Sequence, residues 1–446
     1  MQKISGGQAV VIGAGIAGLC AARVLAPFFP KVVLVEREGA DRLNGVRPGG
    51  APRKPGFLLC GGYAALSELF PGIGADLLVA GGVRFDAGDD IRLERPGMGA
   101  LPQRRMGWAS YGVARPTLER IVAQRTARWP NVAFRYGWQA TSLRLADGAP
   151  RVDGVHCRLP DGSQETLDAS LVIDASGRPD LTLASGRAGG LALPEPLFGP
   201  GIGYAVATFQ LPATFNPGFV GLVTLPDATH LRRGGFVLRV EAERWQVLLA
   251  GAAGEQPVAD AASFCEFART LPTASIGDFL RCARRPERLS SFGARENAWY
   301  RFDPRHLPAG LLPLGGAMCR LDPLTGQEMT LGILQALLLR NVLAAAPRDG
   351  MQLAVRRFLE RSAPLLARVW STAVPHEAGF PATTGNPAPQ GKEPIAGYAS
   401  GSQANGSQAS GWRDALRDPA AHETLLRQHH LLGLVVDETV SPLNAA

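Results

Sequence analysis

Residues 9–12 form a short apolar run, Ala9-Val10-Val11-Ile12, which leads into Gly13-Ala14-Gly15-Ile16-Ala17-Gly18-Leu19. Three glycines at this spacing let backbone N–H groups close around a phosphate anion. Gly13 permits a tight turn, Gly15 lets the backbone approach a pyrophosphate, and Gly18 lets the following helix pack closely on the strand. The first N–H groups of that helix have no partner inside it and face the anion. The elements needed to position the triplet occur in order. An apolar, β-branched run precedes it, residues 17–25 have helical character, and a second apolar run, Val32 to Val35, ends at Glu36. Glu36 lies 23 residues after Gly13, close to the roughly 20-residue spacing of an acid that holds ribose hydroxyls.

Three later segments carry further chemistry. In Ala114-Arg115-Pro116-Thr117-Leu118-Glu119-Arg120-Ile121, a proline near the start and an acid one turn in predict a helix N-terminus that presents Arg115. Leu171-Val172-Ile173-Asp174-Ala175-Ser176-Gly177-Arg178 reads as a strand running into a loop. Gly310-Leu311-Leu312-Pro313-Leu314-Gly315-Gly316-Ala317 continues through Asp322-Pro323-Leu324-Thr325-Gly326-Gln327-Glu328-Met329-Thr330 to a helix start. Together with the glycine triplet, these segments resemble the FAD-dependent monooxygenases of the p-hydroxybenzoate hydroxylase-like family. Residues 37–70 and 370–381 resemble a subgroup that includes polyether-type epoxidases and ring hydroxylases, so the resemblance spans nearly the whole chain.

The resemblance implies that FAD is held by Gly13, Gly15, Ala17, Gly18, Glu36, Arg37, Arg115, Asp174, Gly177, Gly315, Gly316, Gly326 and Met329. Arg115 would touch the phosphates or the ribityl chain. The Asp174–Gly177 loop would lie near the adenosine, and the Gly315–Gly326 region beneath the isoalloxazine ring. In this family reduced flavin activates oxygen and passes one atom to an electron-rich ring or alkene. The protein positions the substrate, excludes water and stabilises the anionic flavin edge.

Several positions depart from the family pattern. Ala175-Ser176-Gly177 stands where members that bind NADPH directly carry an Asp-Gly pair, which implies electrons from NAD(P)H through a separate reductase. Gly315-Gly316 replaces a Gly-Asp pair whose carboxylate bonds the ribityl chain. One such lost bond costs about 1–3 kcal/mol, or about tenfold to a hundredfold in affinity. Gly326-Gln327-Glu328 replaces Gly-Gln-Gly, and a carboxylate at the flavin's negative edge would oppose reduction. Residues 50–57 lack the Gln and His of close relatives. Thr325 and Glu328 have capping-box spacing; alternatively, Glu328 occupies anion space and acts as a general acid or base.

Two principal functional readings follow. The first is a flavin-dependent hydroxylase or epoxidase of a hydrophobic small molecule in specialised metabolism. The second is a repurposed scaffold with lost or altered FAD use, performing cyclisation, isomerisation or elimination through Glu328. A third, non-enzymatic reading is an auxiliary protein that docks on an acidic carrier domain. The tryptophan-rich motif of flavin halogenases is absent: Trp108, Trp138, Trp245 and Trp299 are isolated.

These residues must be positioned by an α/β fold. The expected architecture is a Rossmann-like FAD-binding domain assembled from residues 1–80, 105–185 and 295–350. A β-sheet substrate domain would be inserted at 186–294, where apolar runs at 204–211, 219–225, 235–240 and 245–249 alternate with turn residues. C-terminal helices would fill 351–446, around a Gly/Ser/Pro-rich loop at 381–411. Tyr204, Phe209, Phe219, Phe236 and Pro323 are the candidate pocket wall. An unbroken strand would send Tyr204 and Phe209 to opposite faces, so at most one of them faces a cavity. His429 and His430, among leucines, read as packing or surface residues.

The chain has 446 residues, 46% hydrophobic and 19% charged, a composition that builds a core rather than a disordered tail. Its net charge of +7 forms no long basic run and does not interleave with aromatics, which argues against nucleic acid as a partner. The diffuse positive field suits acidic ligands or partners. Six cysteines without CxxC or metal-ligand spacing point to reduced thiols, no metal and a cytoplasmic setting. No signal-peptide pattern and no apolar run near the roughly 20 residues of a membrane span are found.

Overall fold

The computed structural model describes residues 7–41, 56–212, 214–226, 233–252, 254–255, 257, 260–283, 286–346, 350–373 and 410–434. Its centre is a five-stranded parallel sheet in the spatial order Leu311–Pro313, Leu171–Asp174, Gln8–Ile12, Lys31–Glu36 and Val132–Tyr136. The inner strands read as continuous apolar runs because the sheet is covered by the helix Ile16–Leu25 and by a three-stranded antiparallel sheet of Gln139–Leu145, Val152–Arg158 and Gln164–Asp168. Val10, Val11, Val172, Ile173 and Leu34 are fully buried.

Two helices fix the site beside this sheet. The glycine-loop helix, Ile16–Leu25, is crossed by the long inner helix Gln327–Ala344. The crossing is close because Gly332 faces Ala17: a side chain at Gly332 would lie 2.9 Å from the Ala17 Cβ. The inner helix is apolar nearly all round, as a helix sandwiched within a core must be. The outer helix Met351–Ala373 packs on it, and Trp370 meets Trp299 at 6.1 Å between ring centres.

The second layer is an eight-stranded sheet. Its order is Cys319–Arg320, Arg288–Tyr300, Pro196–Gln210, Arg244–Ala252, Gly234–Arg239, Gly221–Thr224, Ile91–Arg95 and Gly99–Ala100. It is wider than residues 186–294: strands from 91–100 and 319–320 extend its two edges, so no single inserted segment builds it. Period-two alternation divides its side chains. Ile202 and Tyr204 face the parallel-sheet unit, while Ala205, Ala207 and Phe209 face the helices Ala261–Arg269 and Ser275–Cys282. Phe209 and Phe219 therefore belong to a second core with Trp245, Phe264 and Phe279, and are not pocket walls. Tyr204 and Phe236 lie on the site side.

At the C-terminus, residues 410–417 and Pro419–His429 are helical. Asp418 accepts from the Ala420 and Ala421 N–H groups, and Pro419 begins the second of these helices. His430 is buried, and Gly61 leaves room for the His430 and Leu431 carbonyls. Residues 42–55, 374–409 and 435–446 lie outside the described residues. They include most of the rewritten 50–57 segment and of the Gly/Ser/Pro-rich loop. Among the described residues no helix is long and apolar enough to cross a membrane, and no cluster of His, Cys, Asp and Glu is suited to hold a metal.

Candidate active site

The glycine loop is built as its spacing requires. Gly13 has φ +96°, and a side chain there would strike the Ala175 carbonyl oxygen at 2.6 Å. Its N–H donates to the Val35 carbonyl at 2.7 Å, tying the turn to the second strand. Gly18 lies against the Gly13 carbonyl. Gly15 is the N-cap of the glycine-loop helix, with no side-chain cap and no acid in the first turn. The helix N-terminus thus has no anion of its own. Glu36, at the end of the neighbouring strand, accepts from the Ala14 N–H at 2.8 Å and from the Glu38 N–H at 3.0 Å. Arg37, next to it, is exposed.

Arg115 opens the helix Arg115–Thr126 and reaches this N-terminus. A Cβ on Gly15 would lie 3.9 Å from both the Arg115 Nη2 and the Glu119 Oε1. Arg115 Nε donates to Glu119 Oε1 at 3.0 Å, and Glu119 is 1% exposed. Burial lowers the Arg115 pKa, but Glu119 and Glu328 outweigh it, and the net shift is upward. A guanidinium bound through Nε keeps its Nη groups for a second anion.

The Arg115 helix has no side-chain cap of its own. Glu241, from the eight-stranded sheet, supplies one, accepting from the Ala114 N–H at 2.9 Å and from the Thr117 hydroxyl at 2.6 Å. It stands at a tight turn in which Ala242 and Glu243 both have positive φ, 60° and 56°. Two-residue hairpin turns of this form favour Asn and Gly, and the left-handed region costs other residues about 1–2 kcal/mol each.

Asp174 is fully buried and engaged by its own loop. Its carboxylate accepts from the Ser176 N–H and hydroxyl and from the Thr182 hydroxyl, and burial raises its pKa despite these bonds. It thus shapes the turn that carries Gly177. Gly177 lies against Gly316, where a Cβ would come within 3.1 Å of its Cα. This close approach gives a local reason for glycine at position 316. A Cβ on Gly315 would lie 2.9 Å from the Ala17 Cβ, and the Gly315 N–H donates to Gln335 Oε1 at 2.7 Å.

The capping box is not formed. Thr325 ends the 3-10 turn Pro323–Thr325, and its buried hydroxyl has no partner among the described residues. Gly326, at φ +68°, is the N-cap of the inner helix, and Glu328 is the second helical residue rather than the third. Asp322 already starts the turn by accepting from the Leu324 N–H at 2.9 Å, which displaces the helix start by one residue. Asp322 also accepts from Asn297 Nδ2 at 3.2 Å, and half-buried Pro323 follows it. Met329 is buried, and a Cβ on Gly56 would lie 3.1 Å from its Cε and 3.5 Å from the Arg115 Cβ. Phe57 meets Phe236 edge-on at 5.9 Å.

Tyr204 completes the site. Its ring stacks on Phe292 at 4.8 Å, it is 3% exposed, and its hydroxyl has no partner among the described residues. Burial and, next, Glu328 push its pKa up. Glu328, in the first turn of the inner helix, adds to the upward pKa shifts of Arg115, Tyr204, Asp322 and Cys319. The structure thus gathers the glycine loop, Arg115, Glu328, Met329, Tyr204 and Phe236, and leaves Phe209 and Phe219 outside. Sequence reading missed Glu241, and nothing local marks it. Gln335 was legible only as a polar residue interrupting an apolar helix.

The chain is 31% identical over 352 residues to Protein Rv3254 of Mycobacterium tuberculosis, spanning 76% of this chain and 73% of that protein. It belongs to the Rv3254 family. No protein-family model matches it. Among solved structures, the flavin-dependent brominase Bmp2 superposes with a TM-score of 0.64 at 13% identity, covering 95% of this chain and 92% of that one. A single-site variant of Klebsiella pneumoniae HpxO, complexed with FAD, gives 0.61 at 16% identity, covering 96% and 99%. Pseudomonas aeruginosa PqsL in complex with 2-aminobenzoylacetate gives 0.62 at 17% identity, covering 82% and 94%. This Rv3254-family chain therefore has the fold of the FAD-dependent monooxygenase superfamily, which flavin halogenases share. Its donor set fits FAD: an uncapped helix N-terminus at Gly15 and a guanidinium beside it would suit a pyrophosphate.

Proposed function

We propose that this chain is an FAD-dependent monooxygenase, a hydroxylase or epoxidase acting on a hydrophobic small molecule in specialised metabolism, with electrons drawn from NAD(P)H by a separate reductase. The observation that carries this reading is the uncapped helix start at Gly15 with Arg115 beside it. Bound FAD would supply the oxygen-activating chemistry. The Gly13–Gly18 loop and the Arg115 Nη groups would hold the pyrophosphate. Glu36 would exchange part of its bonding to Ala14 for ribose hydroxyls. Gly315 and Gly316, steadied by Gln335, would bring backbone rather than side chain to the ribityl side.

The remaining residues serve the substrate. Phe57 and Phe236 give an apolar wall that excludes water. The Tyr204 hydroxyl, buried and without a partner among the described residues, is the group that would bond and orient a polar atom of the substrate. The charge of Glu328 acts on Arg115 and Tyr204 and would offset positive charge beside the flavin. Nothing observed favours the non-redox alternative. Gly316 has a steric reason, and residues 50–55 lie outside the described residues.

Oxygen uptake tests the reading. With FAD, NADH and an added flavin reductase, the chain is expected to convert part of the oxygen consumed into monooxygenated product from a panel of electron-rich aromatics and alkenes. Uptake that yields only hydrogen peroxide across such a panel would contradict it.

A further inference from the structure

The helix Cys60–Leu69 has no cap of its own. Its N-cap residue is Leu59, which offers no side-chain bond, and its first turn holds no acid. The N–H groups of Leu59, Cys60 and Gly61 have no acceptor within the helix, although all three residues are buried. Leu59 N–H donates to Thr330 Oγ1 of the inner helix at 3.3 Å. The other two go to one residue far along the chain. Cys60 N–H donates to His430 Nδ1 at 3.4 Å, and Gly61 N–H to the His430 carbonyl at 3.0 Å. His430 thus caps this helix from a distance, with ring and backbone together. Burial and the neighbouring His429 hold its pKa well below the ordinary value, so the ring is neutral and Nδ1 is free to accept.

The chain around His430 is bent to make this contact. The helix Pro419–His429 closes with Leu431 N–H donating to the Gln428 carbonyl at 3.2 Å and Leu432 N–H to the Arg427 carbonyl at 3.0 Å. These are the paired bonds of a helix that usually ends in glycine. Here the left-handed position is held by Leu431, at φ +54°, where a side chain is disfavoured. Two contacts keep it there. The Leu431 side chain is buried, and a Cβ on Gly61 would lie 2.3 Å from the Leu431 carbonyl oxygen and 2.6 Å from that of His430. Gly61 therefore leaves the space in which this segment docks. Gln327, the first residue of the inner helix, adds a bond from its Nε2 to the His429 carbonyl at 3.4 Å.

Residues 56–59, which lead into the capped helix, form one wall of the site. Gly56 lies against Met329 and Arg115, Phe57 meets Phe236, and the Leu58 carbonyl accepts from the Ser110 hydroxyl at 2.6 Å. We propose that His430 is a positioning residue, which holds the wall at 56–59 against Arg115 and Met329 by capping the helix that follows it. The segment 410–434 is then a working part of the site. Its bearing on flavin rests on the monooxygenase reading, whereas the capping does not.

Hydrogen exchange of the full chain, read by mass spectrometry over residues 56–64, together with FAD titration, tests this on wild type, His430→Ala, His430→Asn and Gly61→Ala. Alanine removes the ring acceptor, whereas asparagine keeps an oxygen near the place of Nδ1. In His430→Ala, exchange over 56–64 is expected to quicken and FAD affinity to fall, each by about tenfold, the effect of one lost buried hydrogen bond. His430→Asn should stay near wild type in both. Gly61→Ala should reproduce His430→Ala even though alanine favours a helix, because its methyl group displaces the docked carbonyls, and it decides the matter if His430→Ala does not fold. Unchanged exchange over 56–64, or equal loss in His430→Asn and His430→Ala, overturns the proposal. So does faster exchange with FAD affinity unchanged, which would make His430 a fastener with no bearing on the site. Should the wild type take up no FAD, the monooxygenase reading falls, and exchange alone decides whether His430 holds the wall.

Discussion

Arg115 is bound by Glu119 through a single guanidinium edge, and that edge decides where its other nitrogens point. The carboxylate lies one turn along the same helix and is almost wholly buried, so the arginine is held oriented before any ligand arrives. Replacing Glu119 with Gln keeps an acceptor for Nε, whereas Ala removes it. Glu119→Ala is expected to weaken FAD binding by about tenfold and Glu119→Gln by clearly less, as read by quenching of flavin fluorescence. Equal loss in both variants would mean that charge, not orientation, is what matters. At this scale the glycine loop was legible because a phosphate demands contiguous backbone at fixed spacing. Glu241 and Gln335 were not legible: one caps a helix 127 residues away and the other bonds a loop 20 residues away.

The elements show where local signals compete. Thr325 and Glu328 have capping-box spacing, yet Asp322 starts the turn earlier and Gly326 becomes the N-cap. A spacing rule cannot see which of two caps acts first. The turn at Ala242–Glu243 shows the converse, a conformation the local sequence does not favour. It is held because the hairpin must aim Glu241 at the Arg115 helix. Ala242→Gly should therefore stabilise the fold by about 0.5–1 kcal/mol, measured by denaturant unfolding. A destabilised variant would show that Ala242 makes a contact worth more than the strain. The two faces of the long strand Pro196–Gln210 followed directly from period two. Alternation separated Tyr204 from Phe209 but could not say which face held the site, because apolar side chains serve cores and pockets alike.

In the whole molecule, the α/β class and the parallel-sheet unit were legible, since each inner strand carries its own apolar run. The reach of the second sheet was not, because its edge strands come from distant segments whose pairing leaves no local mark. The C-terminal helix Pro419–His429 ends in two adjacent histidines, His429 half-buried and His430 buried. Burial holds His429 down at about 4 and His430 well below its ordinary value. A histidine buried neutral contributes fully above its unfolded pKa of about 6.5. Below that the unfolded state binds the extra protons, so stability is lost as pH falls from about 6.5 toward 4. The thermal midpoint should fall across this window, and His430→Asn should flatten the fall. A midpoint independent of pH there would contradict a neutral His429–His430 pair.

In the proposed function, Gly15 and Arg115 hold the pyrophosphate of FAD. Titration of FAD into wild type and Gly15→Ala, followed by visible absorbance, tests it most directly. A Cβ at Gly15 meets nothing nearer than 3.9 Å and needs no unusual φ, so the variant should fold as the wild type does. The methyl group would nevertheless stand where the pyrophosphate must approach. The predicted result is FAD uptake by wild type and affinity lower by at least about tenfold in Gly15→Ala, with unchanged unfolding. No uptake by wild type, or equal uptake by both, would show that Gly15 and Arg115 do not hold the FAD pyrophosphate.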